Sequence, residues 1–227
     1  MFAVLPPRYD LINRVITWGL DERWRREAAK NCLVQRPQRV LDLCCGTGDL
    51  LVNQARLADN SVELTGVDYN RLMLGVAAKK VKSLAVKRKI LLICGGADDL
   101  PFSDGYFDCV GISFAFRNLV YKNPLAQRHL AEVLRVLGNG GRFVIVETSQ
   151  PTAKLIRQLY HLYLRGFVAI MGYLLSGRRG AYRYLAESTT RFYNADEVKE
   201  MLLSVGFQKV SFRPFLFGAV GIHIAIK

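Results

Sequence analysis

Strand-like and helix-like runs alternate through the middle of this chain, and that alternation limits its fold more than any other feature. "RVLDLC" (39–44) precedes a helical pattern from Asp49 to Leu57. "VELTGVD" (62–68) precedes "NRLMLGVAAKKVKSL", and "KILLIC" (89–94) and "YFDCVGISFAF" (106–116) follow as further strands. The helix "NPLAQRHLAEVLRVL" (123–137) leads into "GGRFVIVETS" (140–149). Each strand is nearly all apolar, which marks a parallel sheet buried on both faces. Right-handed crossovers then give an α/β, doubly wound, Rossmann-like sheet, mostly parallel and seven-stranded. The last two strands are "KVSFRPF" and "AVGIHIAIK", after a helix from Asp196 to Val205 that Gly206 ends. Residues 152–193 break the rhythm and read as a helical insertion between strands five and six, a lid over a substrate. Residues 1–38 read as an N-terminal helical arm, and the whole, 1–227, as one domain.

Ligands of such sheets bind beyond the carboxyl ends of the strands, at the point where strand order reverses. Four features fall there. Gly46 and Gly48 bracket Thr47 in "LDLCCGTGDL", beside Asp42. Asp68, 22 residues after Gly46, ends strand two, where a carboxylate can accept hydrogen bonds from a ribose diol. "GADDLPF" (96–102) follows strand three and "SFAFRN" (113–118) follows strand four. GxxxxGK[ST] is absent, and the third glycine of a dinucleotide fingerprint is missing, because Val52 and Asn53 follow. The pattern favours a nucleoside without a pyrophosphate.

Charge adds a second constraint. The net +13 splits as +4 over residues 1–40, +2 over 41–150 and +7 over 151–227. Basic ends around a balanced middle call for an anionic partner, either nucleic acid or a membrane surface. The longest charge-free stretches, 166–177 and 214–226, fall short of the ~20 residues that span a bilayer. The five cysteines have no CxxC spacing, which fits a reducing cytoplasm. No pair of histidines has metal-ligand spacing, so no metal is expected. His129 and His223 read as packed side chains; His161, between Tyr160 and Leu162, is a pocket candidate.

"VLDLCCGTGDL", "GVDYNRLML" and "GADDLPF" resemble class I S-adenosylmethionine-dependent methyltransferases. "YDLINRVITWGLDERW" (9–24), "SFAFRNL" (113–119), "RVLGNGGRFVIVETSQP" (135–151) and "YRYLAES" (182–188) narrow the resemblance to the UbiE/MenG family, from Tyr9 to the C-terminus. That resemblance implies a C-methyltransferase of ubiquinone or menaquinone biosynthesis, with S-adenosyl-L-methionine as cofactor and a prenyl-quinol as substrate. It implies cofactor contacts at Asp42, Gly46, Thr47, Gly48, Asp68, Gly96, Ala97, Asp98 and Ser113. It places Arg117 and Asn118 beside the reacting ring. Arg117 takes the oxyanion-stabilising role, because a guanidinium is a poor base; Asn118 orients the ring hydroxyl or merely caps the next helix. Phe114, Phe116, His161, Tyr184 and Glu187 are the substrate-contact candidates. The chain departs from the family pattern at Ile12, Thr17 and Asp21, at the Gly138–Gly141 turn, and at Gly96, where the family has Asn and Asp98 is the available substitute.

Three readings follow: a quinol C-methyltransferase, preferentially on demethylmenaquinol with 2-polyprenyl benzoquinol as alternative; a methyltransferase of another small molecule or of nucleic acid; and a non-enzymatic binding module. The first is preferred, with no nucleic-acid partner. It places the protein in the cytoplasm, peripheral to the inner face of the membrane, with a homodimer as the candidate assembly.

Overall fold

A computed structural model describes residues 9–84, 88–168, 170, 171, 173 and 186–227. Tyr184 lies outside the described residues.

Seven strands form one sheet in the order β3-β2-β1-β4-β5-β7-β6. They are β1 (Arg39–Leu43), β2 (Glu63–Asp68), β3 (Ile90–Cys94), β4 (Phe107–Ser113), β5 (Leu137–Thr148), β6 (Lys209–Phe215) and β7 (Val220–Ile226). The first five pair in parallel, and β7 runs antiparallel between β5 and β6. Strand order reverses between β1 and β4, so the crevice for a ligand opens above that pair.

The apolar runs are buried on both faces for a visible reason. Phe143 and Ile145 of β5 pack on one face with Phe107, Phe116, Leu130 and Phe207. Val144 and Val146 pack on the other with Trp24, Leu50, Leu51 and Ile222. Helices α2 (Leu20–Leu33) and α3 (Asp49–Leu57) cover the second face. On the first lie α5 (Phe116–Val120), α6 (Ala126–Val136) and α8 (Ala195–Val205). Helix α4 (Arg71–Lys82) starts at Asn70, whose side chain accepts from the amides of Leu72 and Met73. Gly206 caps α8 at φ 119°, as its sequence position implied.

Two elements differ from the sequence reading. The fourth strand stops at Ser113, not at residue 116: Phe114 has φ 54°, and the chain turns there into α5. The apolar run continues because Phe114 and Ala115 line a cavity and Phe116 enters the core, so hydropathy alone could not mark its end. The long helical pattern after residue 152 is α7 (Lys154–Tyr163) followed by a π-helical turn, Leu164–Val168. Helix α1 (Tyr9–Ile16) packs on this segment through Ile12, Ile16, Leu164, Val168 and Ala186, a small core separate from the sheet.

Candidate active site

The carboxyl ends of β1 to β4 open into one cavity of about 970 Å³. That is the upper end of the ~300–1,000 Å³ typical of small-molecule sites. It holds space for a nucleoside and a second ring.

The loop after β1 forms the floor. Cys44, Gly46 and Gly48 take left-handed φ values of 52°, 55° and 81°, alternating with Cys45 and Thr47. Such alternation turns backbone N–H groups to one side. The Gly46 amide donates to Asp68 Oδ2 at 2.8 Å, and the Asn70 amide donates to Asp68 Oδ1 at 2.8 Å. A Cβ at Gly48 would lie 2.9 Å from Ala77 Cβ, so this glycine lets α3 approach α4. Burial raises the Asp68 carboxyl above the ordinary carboxylate range, and the two amides oppose that rise. Each Asp68 oxygen keeps a lone pair beyond its amide bond, available to a diol.

Asp42 also lines the cavity, 1% exposed. Its Oδ2 accepts from the Leu51 amide, and its Oδ1 has no hydrogen-bond partner among the described residues. Burial holds its carboxyl well above the usual range. The same burial, with Asp42 and Asp68 nearby, raises the Cys44 and Cys45 thiols, which fits packed rather than nucleophilic cysteines.

The remaining wall comes from the other strand ends. Gly96, Ala97 and Asp98 line it together. A side chain at Gly96 would collide with Asp98 Oδ1, so the Asp98 carboxylate occupies the space that the glycine leaves. Ser113 Oγ accepts from Arg25 Nε at 3.1 Å, and the Arg25 guanidinium lies over the Phe114 ring at 5.2 Å. Arg117 is 5% exposed; its Nη1 donates to Thr189 Oγ1, and its Nε is buried without a partner among the described residues. Glu147 at the end of β5 accepts from the Arg117 amide at 3.1 Å and from the Thr148 amide and hydroxyl. Burial and the Glu147 carboxylate raise the Tyr160 phenol, against the Arg117 guanidinium, which places those three groups together. Asn118 lines the same end of the cavity from α5. It does not cap α6; Asn123 Oδ1 accepts from the Leu125 amide there instead.

Most candidates therefore converge, and four do not line this cavity. Gly48 serves helix packing beneath it. Phe116 is fully buried and packs edge-on against Phe143, because α5 turns it into the sheet core. His161 pairs with Gln150 Oε1 at 2.8 Å on the flank of α7, its basicity lowered by burial and by Arg165 and Arg157. Glu187 is exposed, and its backbone carbonyl accepts from Thr190 Oγ1. His129 does line the cavity, its Nδ1 committed to the Leu119 carbonyl at 3.0 Å.

Several lining residues escaped the sequence reading. Thr17 Oγ1 donates to Asp21 Oδ1 at 2.8 Å, and Asp21 pairs with Arg25. The i, i+4 spacing of Asp21 and Arg25 on α2 was the available signal for that pair, whereas Thr17 reaches Asp21 from the turn between α1 and α2. Asp10 accepts from Thr47 Oγ1 at 2.8 Å and pairs with Lys80 at 2.7 Å, tying the N-terminal arm to the floor loop. No local pattern announces that long-range pair.

The sequence profile of the ubiE/COQ5 methyltransferase family matches residues 1–227. The chain belongs to the ubiE/COQ5 methyltransferase family. Among its relatives, "Ubiquinone/menaquinone biosynthesis C-methyltransferase UbiE" of Geobacter sulfurreducens is 37% identical over 227 residues, covering 100% of this chain and 87% of the relative. "Demethylmenaquinone methyltransferase" of Thermus thermophilus is 38% identical over 224 residues, covering 99% and 98%. The fold is shared with a SAM-dependent methyltransferase from Aquifex aeolicus, at TM-score 0.64, 17% identity, and 96% and 97% coverage. This ubiE/COQ5 member is accordingly an S-adenosylmethionine-dependent methyltransferase with the Rossmann-like seven-stranded sheet that its sequence implied. The cavity fits that cofactor: an acid held by two amides ends β2, a glycine floor lies below it, and Asp42 Oδ1 is buried with no partner among the described residues.

Proposed function

We propose that this enzyme methylates a ring carbon of a prenylated quinol, demethylmenaquinol in preference to a 2-polyprenyl benzoquinol, at the membrane surface. The observation that carries the reading is the buried Arg117 guanidinium. Among the described residues its Nε has no partner, at one end of a cavity lined by apolar residues such as Ile156, Tyr163, Leu164 and Val168. The names of the Geobacter and Thermus relatives support the substrate class.

Asp68 would hold the ribose diol, Ala97 and Asp98 the adenine side, and Asp42 the cationic end of S-adenosylmethionine. When bound, the cofactor supplies an electrophilic methyl group on a sulfonium. The chain's residues must orient the acceptor and raise its nucleophilicity. A quinol carbon becomes nucleophilic as the neighbouring hydroxyl loses its proton, from an ordinary phenol pKa near ~10. Arg117 stabilises the developing oxyanion through its Nε–H, at a place from which water is largely excluded. Arg25, over Phe114 and bonded to Ser113, fixes the wall that separates the ring from the arm. Asn118 orients the second hydroxyl. Tyr160 and Tyr163 shape the exit for an isoprenoid tail.

The test is methyl transfer from radiolabelled cofactor to naphthoquinols and benzoquinols, each supplied reduced and oxidised. Methylation of the reduced form alone is expected, with the naphthoquinol faster. Equal activity on the oxidised quinone would refute the phenolate step. Salt-sensitive methylation of RNA with no quinol turnover would replace the reading altogether.

A further inference from the structure

The cavity mouth carries a feature that catalysis does not need. Trp18, Leu159 and Leu216 line the cavity, yet they are 74%, 59% and 48% exposed. No residue of helix α7 is fully buried. Its inner stripe, Ile156, Tyr160 and Tyr163, faces the cavity. Its outer stripe adds Leu155 and Leu162, 68% and 70% exposed, to Leu159 at i, i+4, i+7 spacing. A surface helix of a soluble protein carries polar groups on that face. Phe217 follows Leu216 at that mouth, and exposed apolar side chains gathered in one place mark an interaction surface.

Phe217 supplies an independent observation. Leu216, Phe217 and Gly218 take successive left-handed φ values of 44°, 55° and 91°. Non-glycine residues adopt that conformation at a cost, which packing normally offsets. Here the strained turn does the reverse and holds Phe217 79% exposed.

The charge around the patch selects its occupant. No Asp or Glu occurs between Glu147 and Glu187, while that stretch holds six Lys or Arg. Three of them, Lys154, Arg157 and Arg165, stand on α7 and its π-helical extension, none of them buried. A second copy of the chain would set this cationic rim against itself. A protein docked here would also stopper the mouth.

We propose that this face seats on an anionic lipid bilayer. The leucines of α7, Trp18 and Phe217 enter the interfacial layer, and the cations lie against the headgroups. The cavity then opens into lipid, so a quinol ring can enter while its tail never crosses water. The entry route rests on the quinol reading; the docking does not.

The experiment is co-sedimentation with vesicles of equal phosphatidylglycerol and phosphatidylethanolamine, and with phosphatidylcholine vesicles, at low and high salt. The full-length protein should bind the anionic vesicles, more weakly at high salt. The double variant Leu155→Glu, Leu162→Glu and the single variant Phe217→Ser should each bind at least ~10-fold more weakly. None of these three residues lines the cavity, so calorimetric affinity for S-adenosylmethionine should be unchanged, which also reports folding. Methyl transfer to a short-chain quinol in buffer should survive in the variants, and transfer to a long-chain quinol in vesicles should be lost. Parent-like vesicle binding by both variants overturns the docking face, as does a parent that binds no vesicles or buries the patch in a sedimenting dimer. Lost vesicle binding in variants of a protein that methylates no quinol would uphold the docking and refute the substrate instead.

Discussion

Replacing Asp68 by Asn separates the two jobs that the structure gives this side chain. Its oxygens accept one amide each, from Gly46 and Asn70, both at 2.8 Å. An amide side chain has one acceptor oxygen, so Asp68→Asn keeps one of these bonds and sets an N–H₂ against the other donor. Loss of one hydrogen bond to a charged group costs about 1.5–3 kcal/mol. In a domain this size about 1 kcal/mol corresponds to roughly 2–4 °C, so the melting temperature should fall by roughly 3–12 °C. Neutralising a partly buried carboxylate offsets some of that loss, which favours the lower half of the range. Cofactor affinity should fall further, because the ribose loses an anionic acceptor: about 1.5–3 kcal/mol corresponds to ~10- to 150-fold in Kd. The pH dependence carries the sharper signature. Burial raises the Asp68 carboxyl in the free enzyme, so it takes up a proton above the pH at which an exposed aspartate would. Parent affinity should therefore drop as pH falls through that raised pKa, and the drop should be absent in Asp68→Asn. Calorimetric titration with S-adenosylmethionine between pH 4 and 8, beside thermal melts, measures all three quantities. A folded Asn variant with parent affinity would refute Asp68 as the ribose acceptor; an unchanged melting temperature would refute the loop tie.

Arg117→Lys keeps a positive charge but loses the planar fork, so turnover should fall ~10²–10³-fold while calorimetry shows intact cofactor binding; near-parent single-turnover rates would remove Arg117 from its assigned role. His223 is buried against Phe212 with Nε2 on the Ala195 carbonyl, and burial lowers its pKa to about 4. The unfolded chain takes up this proton near ~6.5. The stabilising contribution is therefore complete above that value and is lost progressively as pH falls from there to about 4. It amounts to about 3 kcal/mol. Urea melts of His223→Gln should lack this acid slope, and a parallel slope would reject the assignment. Burial holds the Cys44 and Cys45 thiols well above the ordinary range, whereas Cys94 is exposed. Iodoacetamide at neutral pH should label Cys94 and leave the adjacent pair unmodified in the native protein, as peptide mass mapping would show.

The parallel sheet was legible in the sequence because burial on both faces leaves a local trace, an unbroken apolar run such as "RVLDLC" before a glycine turn. The glycine floor of the cavity was legible for a related reason. Left-handed φ at Gly46 and Gly48 limits the residue types allowed there, and an acid ending β2 stands where topology must place it. Capping and termination were local too, as Asn194 and Gly206 show at the two ends of α8. Tertiary structure decided whatever depends on direction or on distant partners. Hydropathy marked Phe114 and Phe116 alike, but the reversal of φ at Phe114 sends one ring to the cavity wall and the other into the core. Periodicity made α7 amphipathic, yet only its position over the cavity mouth shows that Ile156, Tyr160 and Tyr163 face the cavity while Leu155 and Leu162 stay exposed. The pairing of Asp10 with Thr47 and Lys80 spans 37 and 70 residues. The meeting of Arg117, Glu147 and Thr189 likewise joins residues from a short helix, a strand end and the insertion. Such contacts leave no local pattern, because a charge bound for a buried pair has the same sequence neighbourhood as one bound for solvent.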